Sequence, residues 1–154
     1  MITAWRIVKA KHQSGAFDGE GARLAGGRWN SPGLAMVYTA QSAALAALEM
    51  LVHLNSGALL SSYVLIPCSF PESVVLRLDR TRLPARWRAH PAVPQLQLLG
   101  DAWLKNGLSA VLDVPSVIID AESNYLVNPA HPDFASIAVG PVQTFDFDVR
   151  LVRS

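Results

Sequence analysis

The chain has 154 residues, and its 13 Lys+Arg against 12 Asp+Glu give a net charge of +1. This near-balance argues against a broad nucleic-acid surface, which needs a clustered basic excess. A hydrophobic share of 51% with only 16% charged residues excludes intrinsic disorder. The longest apolar helical stretch, Ala43–Leu54, contains Glu49 and His53 and is shorter than the ~20 residues that a membrane span requires. We therefore expect one domain over residues 1–154, with part of its apolar surface available to a partner.

The first third of the chain predicts two strands and a helix around a glycine-rich stretch. Ile2–Val8 and Ala35–Thr39 have the composition of strands. Between them, Gly15–Gly33 holds six of the ten glycines, so it forms a long loop or wraps a ligand. The helix is predicted over Gln41–Asn55, where Ser42 can cap it.

The remainder of the chain predicts more strand than helix. Tyr63–Cys68 and Val74–Leu78 are strand candidates, and Pro94–Asn106 predicts a helix with proline in its first turn. Five short apolar runs follow as further strand candidates: Ala110–Val114, Val117–Ile119, Tyr125–Val127, Ser136–Val139 and Thr144–Val152. In the last of these, polar and apolar residues alternate as in a half-buried strand. The pattern predicts a mixed, β-rich α+β fold.

Several functional classes lack their motifs. The four histidines show no metal-ligand spacing, and the early glycines are spaced wrongly for a dinucleotide fingerprint. We therefore predict no metal site. Cys68, the single cysteine, lies in an apolar run and is expected to be a buried, unreactive thiol. No secretory leader opens the chain, which indicates a cytoplasmic protein.

Glu49 is the most informative single residue. It lies in the middle of an apolar helix, where burying an unpaired carboxylate is costly. Its face also carries Ser42, Ala46 and His53, which makes this stripe the least apolar one. The pattern leaves two interpretations open, a solvated helix face or a functional carboxylate.

Arg28 and Tyr38 are the next candidates. Arg28 follows two glycines and precedes Trp29, a setting that suits a phosphate or carboxylate held by its guanidinium. The alternative is an exposed arginine stacked on Trp29. Tyr38 ends an apolar strand, where its ring can stack on a ligand or be buried with its hydroxyl satisfied. Ser116 opens a strand candidate, and Asn128 is explained by turn chemistry alone.

The segment from Arg77 to Arg88 contains five arginines and a proline. We interpret it as a solvated or partner-facing loop. Its composition favours a protein partner over nucleic acid.

Five motifs in order resemble the RES domain, a family named for its arginine, glutamate and serine. The resemblance extends from Trp5-Arg6 to about Phe134. The motifs are Gly26-Gly27-Arg28-Trp29-Asn30-Ser31-Pro32-Gly33, Val37-Tyr38-Thr39-Ala40, Ala46-Ala47-Leu48-Glu49, Val114-Pro115-Ser116 and Asn124-Tyr125-Leu126-Val127-Asn128-Pro129-Ala130-His131-Pro132-Asp133-Phe134. Each is weak alone, and together they are specific.

The resemblance implies a fold, an activity and a partner. RES proteins are toxins of bacterial toxin–antitoxin pairs, and their fold is similar to that of ADP-ribosyltransferases, with a few helices packed on split sheets. It implies a cytoplasmic enzyme with NAD⁺ as substrate and no cofactor. The partner would be an Xre-type helix-turn-helix antitoxin in a higher-order complex, with no membrane or nucleic-acid contact.

The resemblance also implies the site. Arg28, Tyr38, Glu49 and Ser116 would be catalytic, and Arg28, Tyr38, Asn30 and Ser116 would contact NAD⁺. Asn128 would be structural, and the sequence assigns no role to Arg6.

Three alternatives for the function remain open at this point. The enzyme could cleave the nicotinamide–ribose bond by hydrolysis or phosphorolysis, or it could transfer ADP-ribose to a specific protein. A non-catalytic partner-binding module is the third alternative.

Overall fold

The fold was obtained as a computed structural model, which describes residues 1–54 and 61–151. Its strands are β1 Ile2–Lys9, β2 Val37–Ala40, β3 Tyr63–Phe70, β4 Val75–Arg77, β5 Val111–Pro115, β6 Ser123–Val127, β7 Ala138–Val139 and β8 Gln143–Phe145. Its helices are α1 Glu20–Ala25, α2 Ala43–Leu51 and α3 Pro94–Asn106. This composition confirms the predicted β-rich α+β class.

One mixed sheet contains these eight strands, in the order β4-β5-β6-β2-β1-β3-β7. β8 pairs with β3 beside β7, and all pairs are antiparallel except β4 with β5. β1 and β2 are joined at one residue pair, Trp5 with Ala40. The sheet is therefore divided at this junction into two halves, and the site described below lies around it.

The two longer helices pack on different parts of the sheet. In α2, Leu45 and Ala46 are buried against Ile7 and Ala40 at the β1–β2 junction. In α3, Leu96 and Trp103 pack on β5 and β6, where Leu126 is fully buried. α3 thus covers the half that contains β5 and β6, whereas α2 packs across the junction of the two halves. The chain between β1 and β2 lies against α3.

Local sequence signals explain where α2 and α3 begin. The Ser42 hydroxyl accepts the Leu45 N–H at 3.0 Å and caps α2. Pro94 stands in the first turn of α3, where its missing N–H costs nothing. Gly107 closes α3 with φ +63°, a conformation that favours glycine. The predicted bounds of α3 are confirmed, whereas α2 ends at Leu51.

Three predicted elements are corrected by the structure. The glycine-rich stretch contains α1, because the Asp18 carboxylate accepts the Glu20 N–H at 2.8 Å and starts a helical turn. Residues Val117–Ile119 form a turn instead of a strand, since two of their N–H groups bond to the Ser116 hydroxyl. Such local bonds withdraw backbone donors from a sheet.

The third correction concerns the last predicted strand, Thr144–Val152. Only β8 pairs with the sheet, and Val149–Leu151 forms a 3-10 turn. Asp148 accepts the Arg150 N–H at 2.9 Å and turns the backbone away. Val152, and Asn55 at the predicted end of α2, lie outside the described residues.

None of the helices in residues 1–54 and 61–151 has the length and apolar character needed to cross a bilayer. The buried core contains Cys68, a residue that is 1% exposed. Burial raises the pKa of its thiol to about 11, so the thiol is protonated at neutral pH. The expectation of a buried thiol is confirmed.

Candidate active site

The loop that carries Arg28 is a tight turn fastened to α3. The Gly27 N–H donates to the Asn30 carbonyl at 3.0 Å and closes the turn. Gln97 on α3 donates to the Gly27 carbonyl at 2.9 Å and to the Asn30 carbonyl at 3.2 Å. The side-chain carboxylate of Asp101, also on α3, accepts both the backbone N–H and the hydroxyl of Ser31, at 2.8 and 2.6 Å. The helix therefore fixes the loop from both ends.

α3 also contacts this loop through Gly100. A Cβ atom added at Gly100 would lie 1.6 Å from the Trp29 carbonyl oxygen, so no side chain fits there. Trp29 itself is buried at 3% exposure among the residues that α3 covers. Because Trp29 points into this core, the alternative of an exposed Arg28 stacked on it does not describe the structure.

Asn30 lies inside the loop and is fully buried. Its amide nitrogen donates to the carbonyls of Ala22, Ser31 and Leu34 at 2.9–3.2 Å. Its amide oxygen accepts the Tyr38 hydroxyl at 2.6 Å. These four bonds make Asn30 a support of the loop in this structure. Its contact with NAD⁺ stays a prediction.

Tyr38 lies on β2 directly beneath the Arg28 loop. Its hydroxyl donates to Asn30 and accepts the Trp29 N–H at 3.1 Å. Burial raises the pKa of this hydroxyl well above its usual range, and the nearby Arg28 charge opposes the shift only weakly. Tyr38 is therefore neutral at physiological pH, and its hydroxyl is already bonded within the protein. What it can offer a ligand is its ring.

The Arg28 guanidinium is half-buried and faces two carbonyls. Its Nη1 donates to the Ala89 oxygen at 2.9 Å, with the Trp87 oxygen at 3.4 Å. Burial lowers its pKa, while the Glu49 carboxylate acts in the opposite direction. Within the described part of the chain, its Nε and Nη2 groups donate no hydrogen bond. Arginine stays protonated in proteins, so these N–H groups can bind an anion.

Glu49 lies half-buried on α2, within electrostatic range of Arg28. The Ser116 hydroxyl donates to its Oε1 at 3.0 Å and accepts the N–H groups of Ile118 and Ile119, each at 3.1 Å. A serine hydroxyl has one hydrogen and two lone pairs, and all three are used here. Ser116, which is fully buried, therefore holds one carboxylate oxygen of Glu49 in a fixed direction.

The N-terminus of α2 is tied to the same turn. The Ser42 hydroxyl donates to the Glu122 carboxylate at 2.7 Å, and the Gln41 amide oxygen accepts the Ser123 N–H at 2.8 Å. The Ser116 N–H in turn donates to the Glu122 carbonyl at 2.9 Å. The helix bearing Glu49 and the turn bearing Ser116 are thus one connected unit.

The structure brings the five predicted site residues into one cluster: Arg28, Asn30, Tyr38, Glu49 and Ser116. Arg6 lies behind it, with its guanidinium donating to the main-chain oxygens of Ala16 and Tyr38 at 2.6 and 3.0 Å. Burial lowers the pKa of Arg6.

Asn128 lies outside this cluster and accepts the Ala130 N–H at 3.0 Å within its own turn. It borders a cleft of about 310 Å³ that the cluster residues do not line. A second cleft, of about 190 Å³, lies next to Arg77 and Asp120 and is also lined by other residues.

Sequence reasoning missed the residues that support this cluster. Gln97, Gly100 and Asp101 contact the Arg28 loop, and Arg88 donates to the carbonyls of Val117 and Ile118 at 3.0 and 3.3 Å. One signal was available in the sequence: Gly100 lies inside the predicted helix Pro94–Asn106. A glycine inside a helix costs about 1 kcal/mol relative to alanine, and therefore indicates a packing requirement.

Comparison with solved structures finds a protein of the same fold. The fold is similar to that in a structure titled "Crystal structure of the M.tuberculosis MbcT-MbcA toxin-antitoxin complex", with a TM-score of 0.77. The alignment covers 94% of this chain and 84% of that chain, at 21% sequence identity. The likeness establishes the shared fold.

The sequence comparisons identify the family. Residues 3–148 match the profile described as "RES domain". The chain is 40% identical over 154 residues to "Prs ADP-ribosylating toxin" of Sphingobium sp. (strain YBL2), covering 97% of this chain and 96% of the relative. It is 37% identical over 149 residues to "Toxin Res" of Yersinia enterocolitica, covering 96% and 97%. The protein belongs to the RES domain family, which confirms the resemblance read from its motifs.

Proposed function

We propose that this protein is the toxin of a toxin–antitoxin pair and that it breaks the nicotinamide–ribose bond of NAD⁺. The observation that carries the proposal is that one cluster contains an oriented carboxylate, that of Glu49, and the Arg28 N–H groups that donate no hydrogen bond within the described residues. An anion site at Arg28 and a carboxylate at Glu49, near enough to oppose the lowering of the Arg28 pKa by burial, match the two charges of NAD⁺, a pyrophosphate and a cationic nicotinamide. The naming of similar proteins as toxins supports the same conclusion.

The proposed roles follow from the polar groups that each side chain leaves unused. Arg28 binds a phosphate or ribose oxygen through Nε and Nη2. Tyr38 stacks its ring on the nicotinamide. Glu49 has one carboxylate oxygen held by Ser116, so the other can bond a ribose hydroxyl and stabilise positive charge on the sugar.

The bond-breaking step needs no general acid. The bond between ribose C1′ and the nicotinamide nitrogen breaks, and its electron pair stays on the nitrogen, so the cationic ring leaves neutral. The remaining ribosyl group carries oxocarbenium-like charge beside Glu49. Water captures it to give ADP-ribose and a proton, and phosphate captures it to give a phosphorylated product. NAD⁺ is the substrate, and we place the reaction in the cytoplasm.

A second candidate reaction is transfer of ADP-ribose to a protein side chain. It shares every step up to capture and differs in the nucleophile. The name of the Sphingobium relative, an ADP-ribosylating toxin, is the observation that favours it.

The test is NAD⁺ consumption by the purified protein, freed of co-purified partner, with the products separated by chromatography. Glu49→Gln and Arg28→Ala should each abolish nicotinamide release while circular dichroism stays unchanged. Glu72→Gln and Arg150→Ala, both on exposed residues, are the matched controls. Free ADP-ribose indicates water as acceptor, a phosphorylated ribose indicates phosphate, and labelled protein indicates transfer. No release by the folded wild type would favour a non-catalytic binding module.

We also propose an antitoxin partner of the Xre helix-turn-helix type in a higher-order complex, bound partly through the segment from Arg77 to Arg88. The similar fold from M. tuberculosis was solved as a toxin–antitoxin complex. Arg77, Arg80 and Arg88 bond within this chain. Arg82 and Arg86 are exposed and available to an acidic partner surface.

Charge reversal tests this docking surface. Arg82→Glu with Arg86→Glu should weaken co-purification of a co-expressed Xre-type protein, whereas Lys105→Glu, at the far end of α3, should not. Equal recovery from both variants would remove the segment from consideration.

A further inference from the structure

The two charged residues of the site are connected through a third segment, Trp87–Ala89, to which the sequence assigns no catalytic part. On one side, the Ala89 and Trp87 carbonyls accept hydrogen bonds from Arg28 Nη1 at 2.9 and 3.4 Å. On the other side, Arg88 Nε and Nη2 donate to the Val117 and Ile118 carbonyls at 3.0 and 3.3 Å. The segment therefore bridges the Arg28 loop and the turn after Ser116.

Further hydrogen bonds connect this bridge, the segment Trp87–Ala89, to Glu49. The turn that Arg88 holds by its carbonyls presents the N–H groups of Ile118 and Ile119 to the Ser116 hydroxyl. That hydroxyl donates to Glu49. At every step at least one hydrogen bond is 2.9–3.1 Å long, within the ordinary range, while the second bonds to Trp87 and Ile118 are longer. The path therefore runs from Arg28 through residues 87–89 and 117–119 to the carboxylate.

The bridge is itself anchored. Trp87 packs at the edge of the core that α3 covers. The guanidinium carbons of Arg80 and Arg88 lie 5.7 and 5.8 Å from the Trp87 ring centre, and Arg80 also pairs with Asp120. Cation–π contacts of this kind limit the movement of an exposed arginine.

We propose that Arg88 is a positioning residue that sets the placement of Glu49 relative to Arg28. The inference rests on the proposed NAD⁺ chemistry. Arg88 touches no substrate in this scheme. It fixes the turn that directs Ser116 at Glu49, while the flanking carbonyls of Trp87 and Ala89 orient Arg28 so that its Nε and Nη2 face the ligand. Catalysis depends steeply on such placement, since an error of about 1 Å can cost ~100-fold in rate.

The kinetic test compares Arg88→Ala with Arg88→Lys and Arg150→Ala. Arg150 is a matched control because it is exposed and also donates through Nε and Nη2, to Asp148. We expect Arg88→Ala to lower kcat by ~10-fold with little change in KM. Arg88→Lys should recover part of kcat, because an ammonium can reach one carbonyl but lacks the planar fork. Arg150→Ala should match wild type.

A double-mutant cycle tests the route of the effect. If Arg88 acts through Ser116, Arg88→Ala should lower kcat much less in a Ser116→Ala background than in wild type. The proposal would be overturned if the fold-loss of kcat in the double variant equalled the product of the two single fold-losses. A wild-type kcat in Arg88→Ala would overturn it as well.

Amide hydrogen exchange provides a readout that needs no activity. Arg88→Ala should increase exchange at Ile118 and Ile119 by ~10-fold or more, with β5 and α3 unchanged, and Arg150→Ala should leave both amides protected. Unchanged protection in Arg88→Ala overturns the positioning role even if the wild type consumes NAD⁺. A wild type that releases no nicotinamide contradicts the proposed function instead. The exchange result then tests, without any activity, whether Arg88 holds the turn after Ser116.

Discussion

Ser116 donates its hydroxyl hydrogen to the Glu49 carboxylate at 3.0 Å, although 67 residues separate the two in the chain. The hydroxyl accepts two backbone N–H groups at the same time, so its hydrogen has one direction left. A half-buried carboxylate that accepts such a bond loses rotational freedom. Glu49 is therefore held in place before any ligand binds.

Replacing Ser116 should show whether the orientation of Glu49 affects activity separately from the stability of the fold. Ser116→Ala removes a hydrogen bond to a charged group, worth ~1.5–3 kcal/mol, which corresponds to a loss of ~10–100-fold in kcat/KM for NAD⁺. Ser109→Ala is the control. Ser109 is also buried and bonds both Trp103 Nε1 and the Val111 carbonyl, each at 2.8 Å, away from the site.

Both serine variants should unfold at lower urea concentration, because each leaves buried polar groups unpaired. Only Ser116→Ala should lose activity beyond its loss of folded protein. Equal kcat/KM in the two variants would contradict the assigned orientation of Glu49.

Gly100 should be irreplaceable because α3 lies against the Trp29 carbonyl. A Cβ at Gly100 would lie 1.6 Å from that oxygen, so Gly100→Ala must displace the helix or the Arg28 loop. Overpacking of this kind costs ~1–3 kcal/mol or more in the free energy of unfolding. NAD⁺ consumption should fall with it, since Arg28 moves with the loop.

Gly21→Ala is the matched control for Gly100→Ala. Gly21 also lies inside a helix, α1, but a Cβ there would meet nothing within 4 Å. Alanine is the better helix former by ~1 kcal/mol, so this variant should be as stable as wild type or slightly more so. Urea unfolding and NAD⁺ consumption measured on both variants give the comparison. Equal stability of the two would show that α3 does not press on the loop.

The parts of the fold predicted from sequence are those with local signals. α3 begins at Pro94 and ends just before Gly107, and β1 follows its apolar run. The candidate residues Arg28 and Glu49 stand out because each is unusual in its neighbourhood. The local pattern leaves their role open, and only the resemblance to the RES domain assigns them to a site.

The rest depends on contacts between distant residues, which leave no local pattern. The Ser31–Asp101 bonds span 70 residues, and those from Arg88 to the Ser116 turn span about 30. Residues Val117–Ile119 have the composition of a strand and still form a turn, because their N–H groups bond to Ser116 rather than to a neighbouring strand. The burial of Asn30 could not be predicted from its neighbours in the sequence either, since it follows from packing under α3.

Tyr38→Phe should weaken the loop while keeping the ring. The lost hydroxyl leaves the Asn30 amide oxygen and the Trp29 N–H without their partner, which costs ~1–3 kcal/mol in the free energy of unfolding. Because stacking remains, the Kd for NAD⁺ should rise less in Tyr38→Phe than in Tyr38→Ala. Calorimetric titration and urea unfolding measure the two effects.

Tyr125→Phe is the control for the tyrosine series. Tyr125 is buried against Phe70, but its hydroxyl makes no hydrogen bond within residues 1–54 and 61–151. Its loss should change stability by less than that of the Tyr38 hydroxyl. Burial raises the pKa of Tyr38, so this residue should add no inflection to the pH–rate profile below about pH 10. An inflection that disappears in Tyr38→Phe would assign it an acid–base role.

Cys68 should make the protein less stable at alkaline pH. Burial raises the pKa of its thiol from 9.0 to about 11, while the thiol of the unfolded chain ionises at its ordinary value. Between these values the unfolded chain binds fewer protons than the folded one. The free energy of unfolding therefore falls as pH rises through this window, with a limiting slope of ~1.4 kcal/mol per pH unit. Below pH 8 the thiol contributes no slope.

Urea unfolding at pH 8, 9 and 10 on wild type and Cys68→Ala isolates this effect. The cavity left by the alanine lowers stability by an amount that does not depend on pH, and every other titrating group is common to both proteins. The difference in unfolding free energy should therefore narrow as pH rises from 9 to 10. Parallel curves, or rapid reaction of the native thiol with a disulfide reagent at pH 8, would show that Cys68 is not buried as the structure places it.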